Sequence, residues 1–264
     1  MDDVDQSYLE LLLRAIRVCA KYRPMFGQGR QGGLTVEQFR QLYGSDPFYS
    51  WLGLDSPLVY AAHRAAGGMT SVYRQIGIGC QWLFSQILQD RFGLAKEDVS
   101  WSYSIPGITV RKLSLDARIP LPAIAPERLP LVLEWLKAAA SAVGLESDAT
   151  NALKGAVFEV RQGYKSKDSK RQNADVANAS SAYAAQYLPV VALLSTQIDS
   201  SVAERYRRAR WLILRGNTGG TSIDSTYVFF REVVGYDLAA FFTRNSPIIR
   251  REIESVLEVL LSAE

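Results

Sequence analysis

The strongest constraint on the fold lies in the second half of the chain, where apolar strand-like runs alternate with helical text. The runs are GAVFEVRQGY (155–164), YLPVVALLS (187–195) and RWLILRG (210–216). Between them lie SKRQNADVANASSAYAAQ (169–186), capped by Asp168 or Ser169, and DSSVAERYRRA, which starts at Asp199. YLPVVALLS is nearly continuous in apolar residues, as a strand in the middle of a sheet requires. Strands and helices alternating at this interval predict a central β-sheet with helices packed on it.

Upstream text adds to that core. Residues 70–94 carry Val72, Ile76, Leu83, Ile87 and Leu88 at helical spacing and predict a long helix. WSYSIPGITV and RKLSLDARIPL (101–121) alternate and read as a hairpin, with Asp116 in its second strand. Pro-rich text leads into LVLEWLKAAASAVG (131–144), a helix ending at Gly144. ESDATNALKG (146–155) is either a short capped helix or one arm of a turn. Before residue 70 the reading is helical: 5–23, then 34–44 with Thr35 as N-cap and Gly44 as stop, then PLVYAAHRAAGG (57–68). The glycine-rich FGQGRQGG (26–33) lacks a phosphate-loop pattern and reads as a connector. After the loop GNTGGTS, helices are expected at 225–243 and 247–262, the second opening on Pro247. The expectation is therefore an α/β (α+β) fold: a central mixed β-sheet flanked by helices, with a helical N-terminal region (1–67), a core (68–216) and a helical C-terminal region (217–264) in one compact domain.

Composition narrows the chemistry. Net charge is only +3 over 264 residues, so any nucleic-acid contact must come from local clusters. Cys19 and Cys80 sit in apolar runs and read as buried reduced thiols. His63 is the only histidine, which argues against two-histidine zinc hydrolases and a Ser-His-Asp triad. No apolar run reaches the length of about 20 needed to span a membrane. The acidic start MDDVDQ is unlike a signal peptide, so a cytoplasmic protein is expected, with no membrane contact and no organic cofactor.

One segment carries charge where a strand should be apolar. Glu159 and Arg161 are two apart and share a strand face, between Val157, Phe158 and Val160. Such a pair must lie at a sheet end, be paired, or hold an ion. Asp116 sits in an equally apolar setting, between Leu115 and Ala117. If the two strands are neighbours, two carboxylates converge, and oxygen ligands of this kind suit Mg²⁺. The alternative is structural: an internal Glu159–Arg161 salt bridge, with Asp116 paired to Arg118 or Arg111. Beyond the strand follow Tyr164, Lys165, Lys167, Lys170, Arg171 and Asn173, side chains suited to phosphates and base edges. Tyr73 and Arg74 are further candidates for DNA contact. Arg205, Arg207, Arg208 and Arg210 read as solvated surface, and the aromatic stretch 226–242 as core or a dimer surface.

Taken in order from Thr70, these elements and Asp116…Glu159-x-Arg161 resemble the αβββαβ core of the PD-(D/E)xK nuclease superfamily, which includes many restriction endonucleases. The resemblance covers roughly residues 70–216. It implies a Mg²⁺-dependent type II restriction endonuclease acting on double-stranded DNA as a homodimer. Asp116 and Glu159 would hold the metal, and Arg161 and Lys165 would complete the catalytic set. The chain departs from the family pattern at Leu115, where proline is expected, and at Arg161, where lysine is expected. Arginine does not readily give up a proton to act as a base. Either Arg161 is an electrostatic clamp, or Lys165 or Lys167 reaches in, or the fold persists without activity. Asp175 is the candidate for an acid on the following helix, and Asp148 a substitute for Asp116. Gln81 stands where a helical acid often lies in the family. Gln162, beside Arg161, completes the secondary candidates.

Overall fold

Apolar residues three and four apart, on segments that begin with helix-capping side chains, make the N-terminal part of the chain helical. The structure, a computed structural model, describes residues 3–25, 33–105, 111–163 and 178–261, with side chains omitted at 104–105 and 111–113. It divides into two units, Met1–Gly79 with Arg244–Glu264, and Cys80–Thr243.

In the first unit, α1 (Asp3–Arg17) buries Tyr8, Leu9, Leu12, Leu13 and Ile16 along one stripe. Asp3 and Asp5 occupy its first turn and Arg14 and Arg17 its last, the order that suits the helix dipole. Asp5 is buried and accepts from the Arg244 guanidinium at 2.6 Å. The α2 helix (Val36–Gly44) opens on the expected Thr35, which forms a reciprocal capping box with Gln38. A short α3 (Pro47–Trp51), absent from the sequence reading, is capped by Asp46, whose carboxylate accepts from Phe48 N at 2.9 Å.

The sequence places a helix end at Gly67–Gly68, but α4 runs unbroken from Pro57 to Phe92, 36 residues. These glycines serve packing. A Cβ on Gly67 would fall 2.0 Å from the Tyr22 hydroxyl, and one on Gly68 would fall 2.8 Å from both Leu260 methyls. Gly79 likewise admits Leu12, whose carbonyl would lie 3.2 Å from an added Cβ. A helix tolerates the roughly 1 kcal/mol that each glycine costs when it permits such close approach.

In the second unit, the last turns of α4 bury Leu83, Phe84, Ile87, Leu88 and Phe92. After α5 (Lys96–Val99), β1 (Trp101–Ile105) pairs antiparallel with β2 (Arg111–Leu115), Trp101 opposite Leu115. The expected second arm of the hairpin is broken at Asp116, where the chain bends. From there β3 (Ala117–Pro120) pairs antiparallel with β4 (Gly155–Arg161), Ala117 opposite Phe158. Between them lie α6 (Leu129–Ala142), with Gly144 in the left-handed conformation just beyond it, and the short α7 (Ser147–Asn151). Helix α8 is described over 178–184. The β4 strand runs parallel to β5 (Tyr187–Leu193), with Glu159 beside Val191 and Arg161 beside Leu193. Helix α9 (Ser200–Arg208), capped by Asp199 as expected, returns the chain to β6 (Leu212–Leu214), parallel to β5. The result is a mixed four-stranded sheet in the order β3-β4-β5-β6, flanked by helices.

The C-terminal helices break elsewhere than expected. The α10 helix (Thr226–Phe229) continues as a wider π turn over Phe230–Val234 and stops at Gly235, φ +79°. A Cβ there would strike the Arg128 guanidinium at 2.7 Å. The last helix, α11 (Leu238–Leu261), carries Pro247 in its interior rather than at its start. Proline forfeits one backbone hydrogen bond, yet apolar residues on both sides of it, Phe241, Val256 and Leu260, are buried. Among the described residues no helix is long and apolar enough to cross a membrane.

Candidate active site

Alternation along β4 splits its side chains between two faces. Phe158 faces an aromatic cluster, with ring centroids 5.2 Å from Phe84, 5.7 Å from Phe229 and 6.2 Å from Trp135. Val157 belongs to the opposite core, with Trp101, Leu115, Val191, Leu193 and the alanines 179 and 182 of α8. Glu159 and Arg161 continue the Val157 face. They form an ion pair, and their side chains are only 6% and 15% exposed. The salt bridge anticipated as the structural alternative is therefore present.

Asp116 comes to this point from β3. The register of β3 on β4 ends at Ala117 opposite Phe158, and Asp116 is the residue just before that pair. Its backbone N–H donates to Phe158 O at 2.9 Å, and its Oδ2 accepts from Val160 N at 2.7 Å. Gln81, on α4, donates from Nε2 to Val160 O at 3.3 Å. The backbone N–H and C=O of one strand residue point toward the same edge. The bend at Asp116 takes the neighbouring strand away there, so two side chains replace the ladder partners of Val160. Buried backbone groups require such partners. Of the two partners considered for Asp116 in that alternative, Arg118 donates elsewhere, to the carbonyls of Asp98, at 2.7 Å, and Glu97, at 3.2 Å, and the Arg111 side chain lies outside the described residues.

The donor set at Asp116 and Glu159 suits a hard divalent ion that keeps several waters, for which one or two carboxylates suffice. Such an ion would compete with Arg161 for Glu159. Among the described residues, no group of three or more His, Cys, Asp or Glu side chains is placed to hold a metal.

The other candidates are dispersed. Gln162 follows β4 directly and is half-buried. Asp148 is exposed on α7, before the first residue of β4, whereas Glu159 and Arg161 are near its last. Tyr73 and Arg74 are exposed on α4, within the first unit. Lys165, Lys167, Lys170, Arg171, Asn173 and Asp175 lie outside the described residues. On α9, Arg207 and Arg208 are exposed and pair with Glu204 at 3.8 and 3.0 Å, in keeping with a solvated surface. In the aromatic stretch 226–242, Phe229, Phe230 and Phe241 are buried, as its core reading expects.

Sequence reasoning missed the residues that close this end of the sheet. Thr226 Oγ1 donates to Leu193 O at 2.8 Å and Leu214 O at 3.2 Å, and Tyr227 donates to Leu194 O at 2.9 Å. Tyr103 donates to the buried Asn178 at 2.6 Å, tying β1 to α8. Burial pushes the Tyr227 phenol up to about 12, so it remains a hydrogen-bond donor. A polar residue within apolar or alanine-rich text, such as Asn178, was the only available signal. No family model, curated protein or solved structure matches the chain.

Proposed function

We propose that this chain is a Mg²⁺-dependent DNA endonuclease of the type II restriction kind, with its reaction centre at Asp116 and Glu159. One observation carries the reading: the bend between β2 and β3 brings the Asp116 carboxylate onto the N–H of Val160, the residue between Glu159 and Arg161, which share a strand face. The order of helix, antiparallel strands and then parallel strands supports a restriction-endonuclease-like αβββαβ core.

In this reading Asp116 and Glu159 would hold Mg²⁺, which when bound polarises the phosphodiester and lowers the pKa of an attacking water. Arg161, released from Glu159, would brace a phosphate oxygen through its guanidinium fork. It stays charged, so it stabilises negative charge and takes no proton. Gln81 positions the Val160 peptide, and through it the strand that carries Glu159 and Arg161. Lys165 follows as a further catalytic cation. Lys167, Lys170, Arg171 and Asn173 would contact double-stranded DNA as the chain leaves the strand. Cleaving both strands of a symmetric site calls for a homodimer.

A second reading is a DNA-binding protein that keeps this fold without catalysis. The chain's own contacts favour it: Arg161 already pairs with Glu159, and Val160 N–H already occupies Asp116 Oδ2. Incubation with mixed plasmid and phage DNA, in Mg²⁺ or EDTA, separates the two, with Glu159→Gln as the control because glutamine keeps an acceptor for Arg161. Discrete Mg²⁺-dependent fragments that vanish in the variant are expected. Salt-sensitive binding without cleavage would establish the second reading, and absence of both would sink both.

A further inference from the structure

Among the described residues, the α3 helix leaves several large apolar side chains exposed. Phe48, Trp51 and Leu52 follow at i, i+3 and i+4, so they share one side of the turn. They are 61%, 82% and 58% exposed. Leu58, in the first turn of α4, is 79% exposed. Tyr49 stacks on Tyr43 with centroids 4.6 Å apart and is itself 38% exposed. Five residues are far too few for a helix to stand without tertiary support.

We propose that this surface is where a second copy of the chain docks, two α3 segments facing each other across a two-fold axis. Area supplies the first argument. Side chains of this size present about 150–250 Å² each when fully exposed, so these four expose roughly 500 Å² at the fractions above. A standard interface takes about 800 Å² from each partner, and about 65% of a homodimer interface is apolar. The apolar share is therefore about 500 Å² per copy, which the three side chains of the α3 segment and Leu58 of α4 match together. Charge supplies the second argument. No side chain in PFYSWLGL, residues 47–54, is charged near neutral pH, and the flanking carboxylates Asp46 and Asp55 fall to the polar rim that such interfaces carry. The inference shares with the proposed nuclease only the need for two copies.

Light scattering over a concentration series, without DNA, tests it. The wild-type chain is expected at twice its 29.3 kDa mass. Trp51→Glu with Leu58→Glu is expected to weaken dimerisation at least tenfold with an unchanged circular dichroism spectrum. Ser50→Cys offers a second measurement that survives misfolding of that variant. Native Cys19 and Cys80 are buried, so a short bis-maleimide should join two chains through position 50 alone. A wild-type monomer at every concentration, a dimer indifferent to the substitutions, or a dimer without the cross-link would each overturn the proposal. A monomer that sediments with phosphatidylcholine vesicles would make the patch a lipid-facing surface instead, and overturn it too. Because no DNA is present, this outcome and the cleavage outcome are independent.

Discussion

Asp116 does two jobs at one bend. As an acceptor for Val160 N–H it maintains the edge of β4, and as a carboxylate held beside Val160, between Glu159 and Arg161, it brings negative charge to the proposed centre. Substitution separates these roles. Asp116→Ala leaves a buried N–H unsatisfied and should cost about 1–3 kcal/mol in urea unfolding. Asp116→Asn retains an oxygen acceptor and should cost less, while abolishing Mg²⁺-dependent cleavage just as the alanine does. Equal losses of stability would remove the structural role. Glu159 was legible as a charged residue in an apolar strand. Its ion pair was one of two open outcomes, because spacing places two side chains on a face without saying which neighbour each one touches.

At the scale of elements, glycine shows how one residue type carries opposite meanings. Gly67, Gly68 and Gly77 all lie inside α4, and propensity alone favours replacing each by alanine by about 1 kcal/mol. An added Cβ at Gly77 meets nothing within 4 Å, whereas at Gly67 it meets Tyr22 at 2.0 Å. Gly77→Ala should therefore raise the midpoint of thermal unfolding and Gly67→Ala should lower it. A rise in both would show that Tyr22 is free to move aside. The N-cap at Thr35 and the start of α9 at Asp199 were readable because a cap is a contact between residues two or three apart. The break at Gly235 and the continuation through Pro247 were not, because side chains distant in sequence decide them.

Across the whole molecule, burial governs the response to alkali. Burial pushes Tyr183 up to about 12, against the opposing charge of Arg210, and pushes Tyr227 to about 12 as well. An unfolded tyrosine titrates near pH 10. A raised folded pKa means that the native state holds its proton longer, so the stabilisation is complete below about pH 10 and is lost as pH rises toward 12. Urea midpoints should fall over that window, and Tyr227→Phe should flatten part of the fall; an unaltered slope would count against burial as its cause. The sequence by itself determined the alternation of buried strands and helices, the caps, and the charged strand around Glu159, since periodicity and capping are local. Tertiary structure decided that the strand bends at Asp116, that Arg118 turns to α5, that Gln81 reaches Val160, and that α4 and α11 run on through their glycines and proline. These outcomes depend on which groups a bend leaves without partners and on which distant side chains fill the space, and that is set only when the chain is packed.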